Sequence, residues 1–204
     1  MPAFVHLHNH TQFSLLDGAS DIQELMAKAK KDGMQGVALT DHGNMFGAFQ
    51  FVNEAKKHNL KPMVGCEFYM VEDRHRKAFS RHEGDNRFHQ LMLAKNATGY
   101  ANLTKLCSLG FIDGLYSKFP RIDKELIARH HEGIIASSCC IGAEIPQAII
   151  RGQLNEAEEL LKQEIRDNPK EHRLLINLAQ HYYDLGKREQ VVKMLEQLKQ
   201  RAKE

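Results

Sequence analysis

The chain has 204 residues, of which 42% are hydrophobic and 26% are charged, and its formal net charge at pH 7 is +2. This length and apolar content suffice for one domain with a sizeable core, or for one domain with an appendage. The nearly balanced charge excludes the strong overall basic field that would by itself indicate nucleic-acid binding. No apolar run approaches the roughly 18 residues needed to cross a bilayer, so no membrane partner is expected.

Apolar periodicity and capping signals divide the first 140 residues into alternating strands and helices. The predicted strands cover residues 3–8, 36–40, 61–71, 88–94 and 133–138. The predicted helices cover residues 21–32, with Ser20 as the cap and Gly33 at the end, and residues 46–58, 100–110 and 124–130. This alternation predicts an α/β fold with a largely parallel sheet or barrel, whose functional site lies at the carboxyl ends of the strands.

Residues 162–204 are polar and helical in pattern, with a break at Asn168-Pro169. Helices are predicted over residues 152–165, 175–186 and 189–202, and the Asn-Leu-Ala-x-x-Tyr-x-x-Leu-Gly-x-x-Glu pattern from Asn177 resembles one tetratricopeptide repeat. We therefore predict a first domain over 1–161 and a helical, tetratricopeptide-like extension over 162–204. Its apolar stripe is expected to pack within the chain, with a protein partner or self-association as the alternative; the stripe comprises Leu178, Tyr182, Val191, Leu195 and Leu198.

The first predicted strand and the turn after it contain a histidine-rich motif. His6, His8 and His10 alternate, so on a strand they would face the same side. Neutral imidazole is a common metal ligand, and Asp17, just before Gly18, can turn back towards the same place. A metal site is the favoured interpretation, and a solvated polar strand is the alternative for this motif alone.

Further candidate ligands lie on the other predicted strands or at their ends: Asp41 and His42 follow the second, Glu67 lies in the third, His89 begins the fourth and Cys140 follows the fifth. Each residue alone has an ordinary explanation as a turn, surface or core residue. Their joint placement favours a hydrolytic site with several metal ions.

The four cysteines lack the Cys-x-x-Cys spacing of a structural zinc cluster. Met1-Pro2-Ala3 leads directly into the first predicted strand, so no secretory leader is expected. Reduced thiols and a cytoplasmic protein are the expectation that follows.

Four runs of this sequence, residues 6–18, 39–47, 61–69 and 140–147, resemble the N-terminal PHP domain of the bacterial DNA polymerase III alpha subunits, which are C-family replicative polymerases. The resemblance covers roughly residues 3 to 161 and implies a distorted, parallel (βα) barrel, here a partial one. It also implies metal-dependent phosphoester hydrolysis, including 3′ to 5′ exonuclease activity, and DNA as a partner through the parent polymerase.

The resemblance assigns the metal ligands to His8, His10, Asp17, His42, Glu67, His89 and Cys140, with Glu67 as the bridging carboxylate. His6 and Asp41 lie beside these motifs and are expected to support the ligands rather than to bind metal. The family holds up to three divalent ions, and a set of nitrogen, oxygen and thiolate ligands suits zinc, manganese or iron.

The chain departs from the family in two ways. Its members carry a final Asp-x-His motif late in the barrel, which this chain is expected to lack, so fewer ions are expected here. The 204 residues leave no room for the polymerase domains, so no DNA synthesis is expected from this chain alone. The alternative function is a catalytically inactive structural or interaction module with vestigial metal ligands.

Overall fold

The computed structural model describes residues 4–15, 17–80, 83–167 and 172–201. It divides into two compact units, Met1–Cys140 and Ile141–Glu204. In chain order its elements are α1 (Ile22–Lys31), β1 (Gly36–Leu39), α2 (Ala48–Lys57), β2 (Lys61–Met70), β3 (Phe88–Ala94), α3 (Ala97–Ile112), β4 (Arg121–Ile122), α4 (Lys124–Arg129), β5 (Ile134–Ala136), α5 (Glu144–Ile150), α6 (Leu154–Asp167), α7 (His172–Asp184) and α8 (Arg188–Arg201).

The sheet of the first unit is organised around β2. Strands β1 and β4 lie parallel along one edge of β2, and β3 lies antiparallel along the other edge, with β5 antiparallel to β3. The predicted α/β class is confirmed, although the sheet is mixed where the sequence predicted it to be largely parallel. The reason is local: the described residues between β2 and β3 form no crossover helix, so the chain returns as in a long hairpin.

The predicted first strand, residues 3–8, is not formed over its described part, residues 4–8. This segment still follows β1, because the Ala38 amide donates to the His6 carbonyl and the Thr40 amide donates to the Asn9 carbonyl, both at 3.0 Å. The Asn9 amide instead donates to the Thr40 side-chain oxygen at 2.8 Å, which takes it out of the backbone ladder. The histidine motif is therefore held in extended form without regular strand pairing.

Helix α1 shows how local signals set an element's ends. Its N-cap is Asp21 rather than the predicted Ser20, because the Asp21 carboxylate accepts from the amides of Gln23 and Glu24. Just after its C-terminus, Gly33 has a φ of 74°, a conformation that glycine adopts without steric cost. The predicted helix is thus confirmed, with a corrected cap.

Two apolar clusters fix the strands that carry the candidate ligands. One packs α1 and α2 on β1 and includes Met26, Leu39 and Phe51, while the other packs α3 on β2 and β3 and includes Phe68 and Leu103. Burying a side chain of this size contributes about 1.5–3 kcal/mol. In α2, Phe51 is fully buried in this core, whereas Phe49 is 82% exposed.

In the second unit, α5, α6, α7 and α8 share a core in which Ile145, Leu161, Leu178 and Tyr182 are buried. Val191 and Met194 of α8 pack against that core, so the predicted intramolecular stripe is confirmed for Leu178, Tyr182 and Val191. It is wrong for Leu195, which is 54% exposed. The predicted break at Asn168-Pro169 lies outside the described residues.

The predicted domain boundary at 161/162 falls within α6, and the two compact units meet at 140/141. The difference arises because α6 packs with α5 and α7 in one helical layer, a continuity that a change in composition does not reveal. The division at 161/162 stays a prediction of where the PHP-like part of the sequence ends. Among the described residues, no helix is both long and apolar enough to cross a membrane.

Candidate metal centre

Glu67 lies at the centre of the site because the chain after β1 continues along the edge of β2. The Glu67 amide donates to the Asp41 carbonyl at 3.1 Å, and the Glu67 carbonyl accepts from the Gly43 amide at 2.9 Å. His42 therefore stands beside Glu67 in the register that β1 sets. The Glu67 side chain is only 1% exposed, which is unusual for a carboxylate without a cationic partner.

Six nitrogen and sulfur donors surround this one carboxylate. On Oε2, the distances are 3.0 Å from His8 Nε2, 3.0 Å from His10 Nε2 and 3.1 Å from His42 Nδ1. On Oε1, they are 2.9 Å from His89 Nδ1, 3.2 Å from Cys139 Sγ and 3.3 Å from Cys140 Sγ. Both carboxylate oxygens thus face several groups that are able to bind metal.

The hydrogen-bond geometry tests whether a metal fits here. His8 Nε2, His42 Nδ1 and Glu67 Oε2 are buried, and none of these atoms has a hydrogen-bond partner. Buried polar atoms are almost always satisfied, so atoms that converge without hydrogen bonds are suited to a shared cation. Three sets of ligand atoms, each within 4.8 Å of one another, share Glu67: His8 with Cys139, His10 with His42, and His89 with Cys140.

The electrostatics of the cluster agree with a charged carboxylate. Burial opposes ionisation of Glu67, but the surrounding groups of His10, His8, His89 and Cys139 hold its pKa far below the usual range. Burial also lowers the pKa of His42, whereas for His10 the adjacent Glu67 outweighs burial and raises the pKa. The surroundings of Glu67 therefore favour its ionised form, which is the form that binds a cation.

Residues 6–181 match the PHP domain family. The chain belongs to the PHP domain family. It is 46% identical over 160 residues to the DNA polymerase III subunit alpha of Treponema pallidum, covering 77% of this chain and 13% of that protein. It is 44% identical over 168 residues to the same subunit of Thermus aquaticus, covering 79% of this chain and 13% of that protein. The predicted relationship is confirmed, and the chain spans about an eighth of the length of these relatives.

Among solved structures, a Bifidobacterium adolescentis protein assigned as a metal-dependent phosphoesterase is similar to this PHP domain with a TM-score of 0.38 and 24% identity. That match covers 52% of this chain and 33% of the other. At this distance the likeness adds nothing to the description of the site.

The predicted ligand Asp17 contacts the cluster from the far side of a histidine ring. Its Oδ2 lies 2.6 Å from His42 Nε2, and its side chain is half exposed. Asp17 thus faces the ring nitrogen that Glu67 does not, and the structure brings these two carboxylates to opposite sides of one imidazole. Its role as a direct ligand stays a prediction.

The two residues expected to support the ligands differ in their placement. His6 is exposed, and its ring meets Phe4 at a centroid distance of 4.7 Å, away from Glu67. Asp41 is fully buried: it accepts from the Thr11 amide at 2.5 Å, from the Thr11 hydroxyl at 2.8 Å and from the Ser14 hydroxyl at 3.0 Å. Asp41 therefore secures the turn that follows His10.

The sequence interpretation missed Cys139, because adjacent residues of a strand point to opposite faces. The chain escapes this constraint here since β5 ends at Ala136 and Cys139 adopts a φ of 60°. Both thiols can then face Glu67 Oε1. The adjacent pair of cysteines was the only signal in the sequence that could have suggested this arrangement.

The expectation that the chain lacks an Asp-x-His motif requires a correction. One such triplet, Asp73-Arg74-His75, follows β2, far ahead of the late position seen in the family. Asp73 accepts from the nearby His75 amide at 2.8 Å, and the Arg74 guanidinium pairs with Asp123, 49 residues further along the chain, at 2.7 Å. This triplet supports the loop and the cap of α4. After residue 140 the sequence contains no Asp-x-His.

Proposed function

We propose that this chain is the PHP module of a DNA polymerase III alpha subunit and that it hydrolyses phosphoesters with bound divalent ions. The observation that carries the proposal is the buried Glu67 carboxylate, which is shared by three sets of donors and whose Oε2, like His8 Nε2 and His42 Nδ1 beside it, is left without a hydrogen bond. A site of this form needs no nucleophilic side chain. Because the relatives are named DNA polymerase III subunit alpha, the proposal includes DNA as the partner and the cytoplasm as the location.

The proposed ligands fall into three positions that share Glu67: His8 with Cys139, His10 with His42, and His89 with Cys140. Clustered divalent ions activate a bound water and neutralise charge on the phosphate oxygens. Glu67, as the residue common to all three sets, would hold the ions through its carboxylate. Asp17, the predicted further ligand, contacts the outer nitrogen of His42, a position from which carboxylates commonly orient metal-binding histidines.

The donor chemistry narrows the choice of metal. Nitrogen, oxygen and two thiols favour zinc or iron, with manganese as the next choice, over calcium or magnesium. The late Asp-x-His motif is missing from its usual place, and Cys139 offers one further donor beside His8. We therefore propose at least two ions per chain.

Metal content and hydrolysis test this proposal together. The chain would be loaded with zinc or manganese, analysed for metals and assayed with bis(p-nitrophenyl) phosphate, alongside Glu67→Gln and Glu54→Gln. Glu54 is a matched control because it is also a mostly buried carboxylate, but it pairs with Lys57 on α2. Of the two variants, we expect only Glu67→Gln to lose the bound ions and the hydrolytic activity. Glu54→Gln should keep both.

Equal metal content in the wild type and Glu67→Gln would overturn the proposal and favour the alternative of vestigial ligands. In that case the helical unit would become the candidate for function. Association of this tail with a protein partner is a lesser proposal, supported by the exposure of Tyr183 and Leu195, at 69% and 54%.

A further inference from the structure

A cleft of about 740 Å³ opens directly beside the metal centre. Asp17 and His42 form part of its wall, so the cleft and the proposed site share residues. Most of the remaining wall is aromatic or apolar, consisting of Phe13, Leu15, Phe46, Tyr69, Phe111, Phe119 and Pro120, with Asn44 and Lys118. The metal centre alone does not explain so much aromatic surface.

A row of rings leads from the centre into this cleft. His10 and His42 are stacked with centroids 4.1 Å apart, and His42 and Tyr69 are stacked at 5.7 Å. Tyr69 then meets Phe119 edge to face at 5.0 Å. A planar group bound along this row would lie next to an ester held at the metal ligands.

Two further rings of the wall are open to solvent. Phe46 is 65% exposed and Phe111 is 37% exposed, with ring centroids 5.9 Å apart. The backbone under Phe46 is fixed, because its amide donates to the Asn44 side chain and Asn44 in turn donates to the carbonyls of Phe13 and His42. Phe46 is thus an exposed aromatic residue held in place relative to a proposed ligand.

The charge at the cleft also suits a nucleotide. Lys118 Nζ lies 5.5 Å from the Phe119 centroid, and within the described part of the chain it has no carboxylate within ion-pair distance. Arg87 covers one face of Phe119 at 3.7 Å. The cleft therefore combines aromatic faces, a cation for a phosphate and a neighbouring site for ester hydrolysis.

We propose that this cleft binds an unpaired nucleobase of single-stranded DNA, next to the phosphate that the metal centre cleaves. The inference rests on the proposed function and adds its substrate class. Every base presents a π-face, so stacking on aromatic side chains gives affinity with little dependence on sequence. A base-paired end would first have to be separated, which makes unpaired DNA the preferred substrate.

The test measures binding of fluorescent single-stranded oligothymidylate by anisotropy to the metal-loaded chain. A phosphodiester of the same length without bases serves as the comparison ligand, and phosphorothioate linkages slow cleavage in both. Phe46→Ala is the test variant. Phe49→Ala is the matched control, because Phe49 is an exposed phenylalanine on the same segment, at 82% against 65% for Phe46, and it does not line the cleft.

We expect Phe46→Ala to weaken oligothymidylate binding by about 5- to 100-fold. Binding of the base-free ligand should not change, and Phe49→Ala should match the wild type for both ligands. Equal binding of both ligands by the wild type, or equal losses in the two variants, would overturn the inference.

Metal content separates this result from the proposed function. If Phe46→Ala retains its ions but binds both ligands as the wild type does, the base subsite is wrong and the metal centre stands. If the wild type binds no ions yet prefers the ligand with bases, the proposed hydrolysis is wrong and the base subsite stands.

Discussion

At the scale of single residues, the adjacent thiols of Cys139 and Cys140 change the chemistry expected of the site. They lie 3.2 and 3.3 Å from the same oxygen of Glu67. Without a cation, burial and the negative charge of Glu67 raise the pKa of the Cys139 thiol well above its ordinary value. A bound divalent ion would supply the positive charge that favours the thiolate, so metal binding and proton release are coupled here.

Replacing Cys139 by serine tests its assignment as a ligand. We expect the zinc-loaded variant to lose part of the sulfur scattering at about 2.3 Å in X-ray absorption spectra, since one of two thiolates is removed. Cys140→Ser should cause a similar loss. Cys107→Ser is the control, because Cys107 packs against the core of α3 and the sheet. An unchanged sulfur shell in Cys139→Ser would exclude this residue as a ligand.

The sequence allowed most of the residues around Glu67 to be predicted, because these candidate residues lie on the predicted strands or at their ends and the family resemblance points to the same ones. His8, His10, His42, His89 and Cys140 were all named, and all face Glu67. The exceptions depend on backbone conformation. The position of Cys139 depends on its own positive φ after the end of a strand. The predicted position of His6 assumed a regular strand, and the contact between the Thr40 side chain and the Asn9 amide interrupts that strand.

At the scale of elements, the position and type of most helices and strands could be predicted, because periodicity and caps are local properties. Strand β3 was placed correctly at Phe88–Ala94, yet its antiparallel direction depends on how the preceding connection folds. Strand β4 was missed since two residues carry no periodicity, and its pairing with β2 comes from tertiary contacts. Direction and pairing are thus the features that a local pattern does not encode.

Among the helices, Glu158 of α6 joins two neighbouring elements. Its carboxylate accepts from the Tyr182 hydroxyl of α7 at 3.1 Å and from Lys187, before α8, at 2.7 Å, and it also pairs with Lys162. Hydrogen bonds from Lys162 and Lys187 lower the pKa of Glu158 to about 2. Glu158 should therefore stabilise the helical unit only while it is ionised.

We predict that Glu158→Gln lowers the free energy of unfolding by about 1 kcal/mol at neutral pH, a value reduced by the partial exposure of its partners. Because the folded-state pKa is lowered, the stabilisation is present above the unfolded-state value of 4.5 and is lost as the pH falls towards about 2. Urea unfolding of the wild type and of Glu158→Gln between pH 7 and pH 2.5 measures whether their free energies of unfolding converge as the pH falls.

Glu159→Gln serves as the control for this series, because Glu159 is 67% exposed and pairs only with Lys162 among the described residues. It should change the stability by a few tenths of a kcal/mol or less at every pH, roughly the value of an exposed helical ion pair. If Glu158→Gln lowered the free energy of unfolding by the same amount at every pH down to 2.5, the stabilisation would not depend on the ionisation of Glu158, and the prediction would be contradicted.

At the scale of the whole molecule, the proposed ligands connect distant parts of the sequence. His8 precedes every helix, Glu67 lies in the central strand, and Cys140 ends the first compact unit. A cation bound by all three regions would bind the folded chain far better than the unfolded chain. Metal binding would then stabilise the fold by mass action, whether or not the site is catalytically active.

Chelation tests this linkage. At an ion concentration 100 times the dissociation constant, one site stabilises the native state by about 2.7 kcal/mol. For a chain of this size we expect removal of the ions to lower the melting temperature by about 5–10 °C in calorimetry, and readdition of zinc to restore it. Glu67→Gln should melt at the same temperature with and without chelator, while Glu54→Gln should respond as the wild type does. A wild-type melting temperature that chelator leaves unchanged would mean that these ligands meet without binding metal, because any ion held by His8, Glu67 and Cys139 must favour the state in which they lie together.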